Sequence, residues 1–343
     1  MRAAVLTAFG PPEVLRIGEV ATPTPKPHEV LIRVRASSVN FGDTLVRNFA
    51  AVSPRAFHMP WVFWLIGKAA FGFTRPRVSI LGSEFSGTVE AVGDDVTRFK
   101  RGDTVFGYRG PRMGAYAEYL CMPEQGVLAM KPGNLTDEEA AACPYGALMA
   151  WGLLRKLHLR PGQRVLVVGA SGGIGPMIVQ LAARHFGTTV AGVCSTARLA
   201  FVRSLGATRV IDYTREDVTS LGEVYDVIID ILGKSSFTRC RRILAPDGRL
   251  VFVSFKVKQI LQMLWTFAMG RQKVVCALTS ERQVDLESVR ALVESGTLRP
   301  IVDRIFPLER AADAHRYAEG GTRQGAVVIS VAPPPDTVAT ARP

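Results

Sequence analysis

Cysteine is scarce in this sequence, and the patterns that give cysteine a structural role are missing. The 343-residue chain holds five cysteines, all far apart, and no two of them are separated by only two residues. A scattered, odd set of cysteines favours neither a disulfide framework nor a cysteine-bound zinc. The first residues also lack the charged-then-apolar pattern of a signal peptide. We therefore expect a reducing compartment, the cytoplasm.

Long apolar runs and blocks of like charge are missing as well. The most apolar stretch, residues 60–73 (PWVFWLIGKAAFGF), contains Lys68 and is too short to span a bilayer. It can instead lie on a membrane surface or line an apolar pocket. The net charge is +12, yet no basic run of five or more residues occurs. Scattered arginines favour a basic surface with one anionic cofactor site over a specific nucleic-acid site.

A glycine-rich turn lies between a strand pattern and a helix pattern. Residues 164–175 read RVLVVGASGGIG, in which an apolar run predicts a buried strand and three glycines fall three apart. Glycine lets the backbone approach a pyrophosphate, and the N-terminus of the following helix offers free N–H groups. With this context the stretch predicts a dinucleotide site rather than a plain tight turn. The predicted contact residues are Ser171, Gly172, Gly173, Ile174 and Gly175.

The pattern of elements changes near residue 125 and again near residue 299. Short strands with glycine turns come first and predict an irregular β body. A largely helical stretch over 136–157 follows, which Thr136 can cap and which Pro144 interrupts. Strands then alternate with helices, which predicts a doubly wound parallel sheet. Its six predicted strands are 165–168, 189–194, 209–213, 224–232, 250–255 and 274–278. The last strands, 301–306 and 326–331, flank a helix over 308–319, and we expect them to rejoin the β body.

These changes divide the chain into an α/β protein of two domains. Residues 1–125 and 300–331 form the predicted substrate domain, and residues 126–299 form the predicted dinucleotide domain. The proline-rich end, 332–343, has no apolar period and predicts a disordered tail.

The end of the second predicted strand indicates which dinucleotide binds. An NAD site usually carries an acid there, but no acidic residue lies between Gly175 and Asp212. Ser195 and Arg198 suit a 2′-phosphate, since arginine grips phosphate through two N–H groups, and Tyr213 can bond the same group. This favours NADP(H) over NAD(H). Alternatively, Ser195 caps the next helix and Arg198 is solvated, and the two roles can coexist.

Several runs along the chain resemble one enzyme superfamily. They are residues 10–20 (GPPEVLRIGEV), 29–43 (EVLIRVRASSVNFGD), 82–107 (GSEFSGTVEAVGDDVTRFKRGDTVFG) and 169–175 (GASGGIG). Together they resemble the medium-chain dehydrogenase/reductase superfamily, and within it the zinc-free quinone oxidoreductase branch. The resemblance implies a GroES-like β domain with a Rossmann domain, and a homodimer joined edge to edge through strand 274–278.

The resemblance also bears on metal binding. Zinc-dependent members carry a cysteine after the second strand and a His-Glu pair, where this chain has Asn40 and Ser83-Glu84. A catalytic zinc needs three good protein ligands, and asparagine and serine are poor ones, so we expect no metal. Without a Lewis acid, the hydride acceptor must already be polarised. We therefore expect a small apolar quinone or an enone as substrate.

Three residues are candidates for catalysis. Asn40 matches the asparagine that sits beside the nicotinamide in the zinc-free branch, where it can donate to the carboxamide or the substrate. Asp43 matches a nearby aspartate, although it fits a structural turn equally well. Tyr108, at a strand end, is a candidate acid. The branch often has a threonine in the helix at the nicotinamide, where this chain reads YGAL at 145–148, so the proton path stays open.

Three functions remain open at this point. The first is zinc-independent, NADPH-dependent reduction of quinones or activated double bonds. The second is a metal-free, NADP-linked alcohol or carbonyl dehydrogenase. The third is a non-catalytic NADPH-binding protein that contacts RNA or a membrane surface through its positive charge. The aromatic segment 45–81 either roofs the cleft or forms a satellite core or dimer contact.

Overall fold

The structure is a computed structural model that describes residues 1–57 and 59–331. Its strands are β1 (Arg2–Leu6), β2 (Leu15–Glu19), β3 (Glu29–Val39), β4 (Glu84–Val92), β5 (Thr104–Tyr108), β6 (Tyr119–Pro123), β7 (Val127–Met130), β8 (Arg164–Val168), β9 (Thr189–Cys194), β10 (Arg209–Asp212), β11 (Tyr225–Asp230), β12 (Leu244–Phe252), β13 (Lys273–Cys276), β14 (Val302–Pro307) and β15 (Ala326–Ser330). Its α-helices are α1 (Phe41–Arg47), α2 (Trp61–Phe71), α3 (Asp137–Ala141), α4 (Pro144–Leu157), α5 (Gly175–Gln180), α6 (Leu199–Ser204), α7 (Phe237–Cys240), α8 (Val257–Met269), α9 (Gln283–Glu294) and α10 (Ala311–Glu319). The predicted tail, 332–343, lies outside the described residues.

A mixed sheet is built around the long strand β3. β3 pairs antiparallel with β4, β6 and β15, while β14 joins parallel to β15. The strands near the C-terminal end of the described chain thus pair with the N-terminal β body, as expected. β7 also belongs to this sheet through β5, although it follows the predicted domain boundary at residue 125. The domain bounds themselves stay a prediction.

The β3 strand is longer than its polar end suggests. The clustered apolar residues of 29–36 (EVLIRVRA) predict a strand that ends at residue 36, but the strand continues to Val39. Ser37 and Ser38 are buried there, and each finds a partner on Glu84: the Ser37 hydroxyl donates to its carbonyl at 2.7 Å, and the Ser38 hydroxyl donates to its carboxylate. Buried hydroxyls are tolerated where they are hydrogen-bonded, so the polar residues extend the strand instead of ending it.

The second sheet is parallel and doubly wound. Its order is β10-β9-β8-β11-β12-β13, which confirms the predicted six-stranded sheet. The strand bounds agree within a few residues, except that β12 begins at Leu244 rather than at residue 250. Leu244 pairs with Tyr225, and a bulge separates this pair from the rest of the β11–β12 ladder. The chain order reverses between β8 and β11, and in such sheets ligands bind at the carboxyl ends beside that point. β13 lies at the sheet edge, and the edge-to-edge homodimer stays a prediction.

The helical stretch predicted over 136–157 is two helices, and the second begins at Pro144, the residue expected to interrupt it. α3 begins with a capping box, in which the Thr136 hydroxyl accepts from the Glu139 N–H at 3.2 Å and the Glu139 carboxylate accepts from the Thr136 N–H at 3.1 Å. α4 begins at a proline and packs its leucines into the core of the parallel sheet. A Cβ on Gly146 would lie 2.9 Å from the carbonyl oxygen of Gly173, so glycine lets α4 approach the glycine turn.

None of the helices in the described residues combines the length and the apolar character that a bilayer crossing requires.

Candidate active site

A cleft that opens to solvent lies between the mixed sheet and the glycine turn. Its volume is about 480 Å³ when the open space at its mouth is included. Ser38, Asn40 and Glu84 line it from the mixed sheet, and Gly172 and Gly173 line it from the turn. The remaining lining residues come from the end of β3, from α3–α5 and from the β14 and β15 region: Val39, Ala142, Tyr145, Gly146, Pro176, Met177, Ile301, Arg323, Gly325 and Ala326. The structure thus brings Asn40, predicted as catalytic, together with two predicted cofactor residues.

Asn40 is fixed in the cleft because it caps α1. Its Oδ1 accepts from the N–H groups of Gly42 at 2.8 Å and Asp43 at 3.3 Å. Its Nδ2 donates to Ser83 Oγ at 2.6 Å and to Glu84 Oε1 at 3.4 Å. The bond to Glu84 is the longer of the two, so the N–H that makes it is the one that can turn toward a ligand at least cost.

Glu84 is the functional candidate that the sequence reasoning missed, having treated it only as an isolated carboxylate unable to hold zinc. Its side chain is buried, its Oε1 accepts from the Ser38 hydroxyl, and its Oε2 accepts from the Tyr145 N–H at 2.7 Å. The carboxyl therefore joins β3 and β4 to the first turn of α4. Burial raises the pKa of Glu84 to about 7, despite these hydrogen bonds.

Asp43 lies behind the cleft and is not among its lining residues. Its Oδ2 accepts from the Asn40 N–H at 3.0 Å, and its Oδ1 accepts from the Gly82 N–H at 3.2 Å. Burial, with a smaller contribution from the nearby carboxyl of Glu84, raises the pKa of Asp43 to about 7. Bonds to two backbone N–H groups are what the structural alternative for Asp43 requires.

A buried polar chain supports this corner from the far side. Tyr116 Oη donates to the carbonyl of Ser38 at 3.2 Å and lies 3.2 Å from His315 Nε2 on α10. Arg47 Nη1 lies 2.9 Å from His315 Nδ1, and Arg47 Nη2 bonds the Glu319 carboxylate at 2.8 Å. Since the guanidinium can only donate, Nδ1 is the acceptor and Nε2 carries the hydrogen. Burial lowers the pKa of His315 to about 3, so this ring stays neutral.

Tyr108 and Tyr145 lie side by side, and only the second lines the cleft. Tyr108 is opposite Glu84 in the β4–β5 register, and its ring centre is 6.1 Å from that of Tyr145. Burial raises the pKa of both phenols, so both stay protonated near neutral pH. The candidate acid predicted at Tyr108 is therefore not placed in the cleft, and Tyr145 occupies the position instead. Leu148, which follows in the same helix, is buried in the core.

The glycine turn has the geometry that a close approach requires. Gly169 adopts φ +89°, and a Cβ on Gly175 would lie 2.3 Å from the carbonyl oxygen of Gly169. Both positions therefore need glycine, the first for its conformation and the second for space. The Ser171 hydroxyl accepts from Arg198 Nη1 at 3.3 Å, whereas the Ile174 side chain packs into the core.

Ser195, Arg198 and Tyr213 gather where β9 and β10 end. The Tyr213 N–H donates to the Cys194 carbonyl at 3.2 Å, and the Tyr213 side chain is 64% exposed. Arg198 bonds the carbonyl of Gly321 as well as Ser171, so it spans from the glycine turn to the loop before β15. Ser195 precedes a 3-10 turn but its hydroxyl makes no cap bond, which the alternative interpretation of Ser195 would need.

An acidic side chain does reach this edge, although the sequence interval has none. Asp212 pairs with Cys194 across the strands. Its Oδ2 accepts from the Thr196 hydroxyl at 2.5 Å, and its Oδ1 accepts from the Thr214 N–H at 3.0 Å. These hydrogen bonds hold the pKa of Asp212 below its usual range. The edge is therefore acid-free in sequence but not in space, because strand pairing places Asp212 beside the end of β9.

Arg323 is a second residue that the sequence reasoning missed. It lies in the loop between α10 and β15, lines the cleft, and places Nη2 3.9 Å from a Cβ built on Gly173. Its guanidinium makes no hydrogen bond or ion pair to the rest of the described chain. The side chain is half-buried, and this desolvation lowers its pKa. A cation that is partly removed from water is normally paired, so this side chain indicates an anion at the glycine turn. No sequence motif around Arg323 predicts this role.

Within residues 1–57 and 59–331, no three His, Cys, Asp or Glu side chains are grouped so as to hold a metal ion.

Two family models match the chain. Residues 26–132 match the alcohol dehydrogenase GroES-like domain, and residues 205–329 match the model described as zinc-binding dehydrogenase. The chain is 32% identical to a 2-methylene-furan-3-one reductase of Solanum lycopersicum over 97% of its own length and 80% of that protein. It is 31% identical to a chloroplastic NADPH-dependent alkenal/one oxidoreductase of Arabidopsis thaliana over 96% of its length and 79% of that protein.

The fold agrees with these relatives. A solved structure of the quinone oxidoreductase from Coxiella burnetii superposes with a TM-score of 0.82 at 29% identity, covering 97% of this chain and 99% of that one. The chain belongs to the medium-chain dehydrogenase/reductase superfamily, in its quinone oxidoreductase-like branch, as the resemblance of its sequence predicted.

Proposed function

We propose that this chain transfers a hydride from NADPH to a small apolar quinone or α,β-unsaturated carbonyl compound without using a metal ion. One observation carries the proposal: the glycine turn and the buried cluster of Asn40 and Glu84 face each other across a single cleft. The names of the tomato and Arabidopsis relatives, a furanone reductase and an alkenal/one oxidoreductase, support the substrate class. The cytoplasmic location stays a prediction.

The side chains at the reacting end do not fit a catalytic zinc. Asn40 Nδ2 donates to Ser83 and Glu84, and Asn40 Oδ1 accepts hydrogen bonds from the N–H groups at the start of α1. Ser83 accepts one of those donors, and both oxygens of Glu84 already accept hydrogen bonds. A zinc site needs three free anionic or imidazole ligands around an open position, and this cluster offers none. We therefore derive no step through a metal.

A conjugated acceptor is suited to this cleft. The nicotinamide, when bound, supplies the hydride, and negative charge then develops on the acceptor's oxygen. Tyr145 lines the cleft with a phenol that stays protonated, and Asn40 has one N–H in a long bond. Donors fixed in place before the reaction stabilise such charge most effectively. We assign Tyr145 and Asn40 to this role, with Glu84 holding both residues in position.

The cofactor would be held by arginines at two places. Arg198, with Ser195 and Tyr213, faces the position of a 2′-phosphate at the ends of β9 and β10. Arg323 faces the glycine turn, where the pyrophosphate of a dinucleotide lies in this fold. The lack of a partner for the Arg323 guanidinium within the described residues supports an anionic ligand there. Asp212 stays ionised at the first place, but Arg215 Nε lies 3.6 Å from its Oδ2 and Thr196 and Thr214 bond its oxygens, so its charge is partly compensated.

Oxidation of NADPH by the purified protein tests the proposal. We expect turnover with a quinone and with an enone, and none with a simple saturated ketone. Turnover of the ketone would favour the metal-free alcohol or carbonyl dehydrogenase. No turnover with any acceptor, together with salt-sensitive RNA binding, would favour the non-catalytic alternative.

A further inference from the structure

The helix α2 has its polar and apolar sides reversed. Its only charged residue, Lys68, is buried, donates from Nζ to the carbonyl of Phe49 at 3.3 Å, and lies over the rings of Phe49 and Trp64. The outward face carries large apolar side chains instead, with Trp61 and Ile66 each 58% exposed. A surface helix normally turns its charge to water and its apolar stripe to the core. The reversal indicates that the outer side of α2 faces an apolar medium.

A second helix, from the parallel-sheet domain, shows a similar outward face. α8 exposes Leu261, Leu264 and Trp265, which fall at helical spacing, and Phe267, which is 79% exposed. The two helices border one segment: Trp64 Nε1 on α2 donates to the carbonyl of Val52, and Lys256 Nζ, just before α8, donates to the carbonyl of Arg55. We call the outward faces of both helices the two-helix surface; it consists of Trp61, Val62, Leu65, Ile66, Leu261, Leu264, Trp265 and Phe267.

The two-helix surface is not part of the cleft. Among the described residues, none of those that line the cleft comes from the 45–81 segment or from α8. The alternative in which this aromatic segment roofs the substrate therefore has no support in the geometry. Large apolar side chains exposed together on helices that border one segment mark an interaction site.

The charge on the segments that carry the two-helix surface is positive. Residues 44–83 and residues 248–280 each contain five lysines and arginines and no acid, although Arg47 and Lys68 are buried and Arg271 pairs with Asp247. Arg55, Lys256 and Lys258 are exposed, and Arg77 bonds the carbonyl of Ala69 at the end of α2. Apolar residues with tryptophan, surrounded by cations, match the boundary of a bilayer with anionic head groups.

We propose that the two-helix surface docks this protein on an anionic phospholipid bilayer, with α2 and α8 lying in the interface. The eleven residues of α2 make a helix of about 16 Å, too short for the hydrocarbon core, so the helix lies on the membrane and does not cross it. Charge complementarity favours a bilayer over a second copy of the chain. A twofold contact places the same patch against itself, so each basic border would face another basic border.

Vesicle sedimentation with the full chain tests this proposal. We expect binding to vesicles of phosphatidylcholine mixed with phosphatidylglycerol, weak binding to pure phosphatidylcholine, and loss of binding as salt is raised. Trp61→Glu with Ile66→Glu, and separately Leu264→Glu with Phe267→Glu, should each lower the partition coefficient about tenfold or more. Val284→Glu with Ile305→Glu is the matched control, since these exposed apolar residues lie outside the two-helix surface. It adds the same charge and should change binding far less.

A milder pair keeps the test independent of folding. Arg55→Ser with Lys258→Ser leaves the apolar face intact and should weaken binding to the anionic vesicles about threefold to tenfold. Absence of vesicle binding by the unaltered chain overturns the proposal, as does an equal loss in the control and in the two-helix variants. A mass in solution that falls from dimer to monomer only in the two-helix variants would assign the surface to a second copy, and would also overturn it.

Discussion

At the reacting end of the cleft, the carboxyl of Glu84 is buried between two strands of the mixed sheet and a helix, and its pKa is raised to about 7. At the ends of β9 and β10, the carboxyl of Asp212 receives hydrogen bonds from Thr196 and Thr214, and its pKa is lowered. Both carboxylates accept several hydrogen bonds. Both side chains are buried, so the difference lies in the balance of the two effects: desolvation outweighs hydrogen bonding at Glu84, whereas the threonine hydrogen bonds outweigh desolvation at Asp212.

This contrast separates two tasks within one cleft. A carboxyl with a pKa of about 7 is only partly ionised at neutral pH, so it adds less charge to the place where a hydride and negative charge arrive. The ionised carboxylate of Asp212, bonded by two threonines and 3.6 Å from Arg215 Nε, orders the turn that carries Ser195 and Arg198. Four predictions break or sharpen the contrast, and they are ordered below from the largest expected effect to the smallest.

Replacing Glu84 by glutamine should remove the pH dependence that the buried carboxyl gives to stability. Because the pKa of Glu84 is higher in the folded chain than in the unfolded one, its contribution is fully present below about pH 4.5. That contribution is lost as pH rises toward 7, by up to about 3 kcal/mol. Relative to the unaltered chain, the variant should therefore gain stability between about pH 4.5 and 7, measured by denaturant unfolding. Glu216→Gln, at an exposed carboxyl, should leave the difference constant, and a constant difference for Glu84→Gln would contradict the account.

Arg198→Glu tests the other end of the contrast. It should raise the KM for NADPH about a hundredfold, since a charged bond to phosphate is lost and a like charge replaces it. The KM for NADH should change far less, because that cofactor has no 2′-phosphate. Steady-state kinetics with both cofactors measure this, with Arg203→Glu on α6 as the control. Equal effects on the two cofactors would refute the assignment of Arg198 to the phosphate.

Tyr145→Phe and Tyr108→Phe distinguish two neighbouring phenols. The first removes a donor that lines the cleft and should lower kcat for an enone about thirtyfold, with little change in cofactor KM. The second removes a phenol outside the cleft, so kcat should stay within about twofold. If Tyr108→Phe lowered kcat and Tyr145→Phe did not, the donor assigned from the geometry would be wrong.

Arg323→Gln should weaken both cofactors alike. Its guanidinium faces the glycine turn, and NADPH and NADH carry the same pyrophosphate, so the dissociation constant of each should rise about tenfold. Cofactor fluorescence titration gives both constants, and Arg203→Gln provides the matched control. Selective weakening of NADPH would place Arg323 with Arg198 at the 2′-phosphate instead.

The parallel sheet could be predicted because its signals are local. The strand, the glycine turn and the helix around Gly169 and Gly175 are adjacent in the chain, and the alternation that follows has a clear period. The interruption of the helical stretch 136–157 could also be predicted, because Pro144 is a local signal. The strand end predicted at residue 36 was wrong, because the hydrogen bonds of the buried Ser37 and Ser38 depend on neighbours in space.

Several residues of the site could not be predicted, because strand pairing and loop contacts bring them to the cleft. Glu84 becomes a site residue only when β4 meets the first turn of α4, and Arg323 only when the loop before β15 reaches the glycine turn. Asp212 approaches the end of β9 through its pairing with Cys194. Sequence alone could not choose between Tyr108 and Tyr145, since the choice depends on which of two adjacent rings faces the cleft.

The most direct test of metal-free hydride transfer is the rate of NADPH oxidation by an enone before and after exhaustive treatment with a chelator, with metal content measured on the same samples. The side chains of Asn40, Ser83 and Glu84 are hydrogen-bonded to one another and are poor ligands for a metal ion. We therefore predict an unchanged rate in the metal-depleted protein and no gain on adding zinc. A rate that falls with the metal content and returns with zinc would contradict the account.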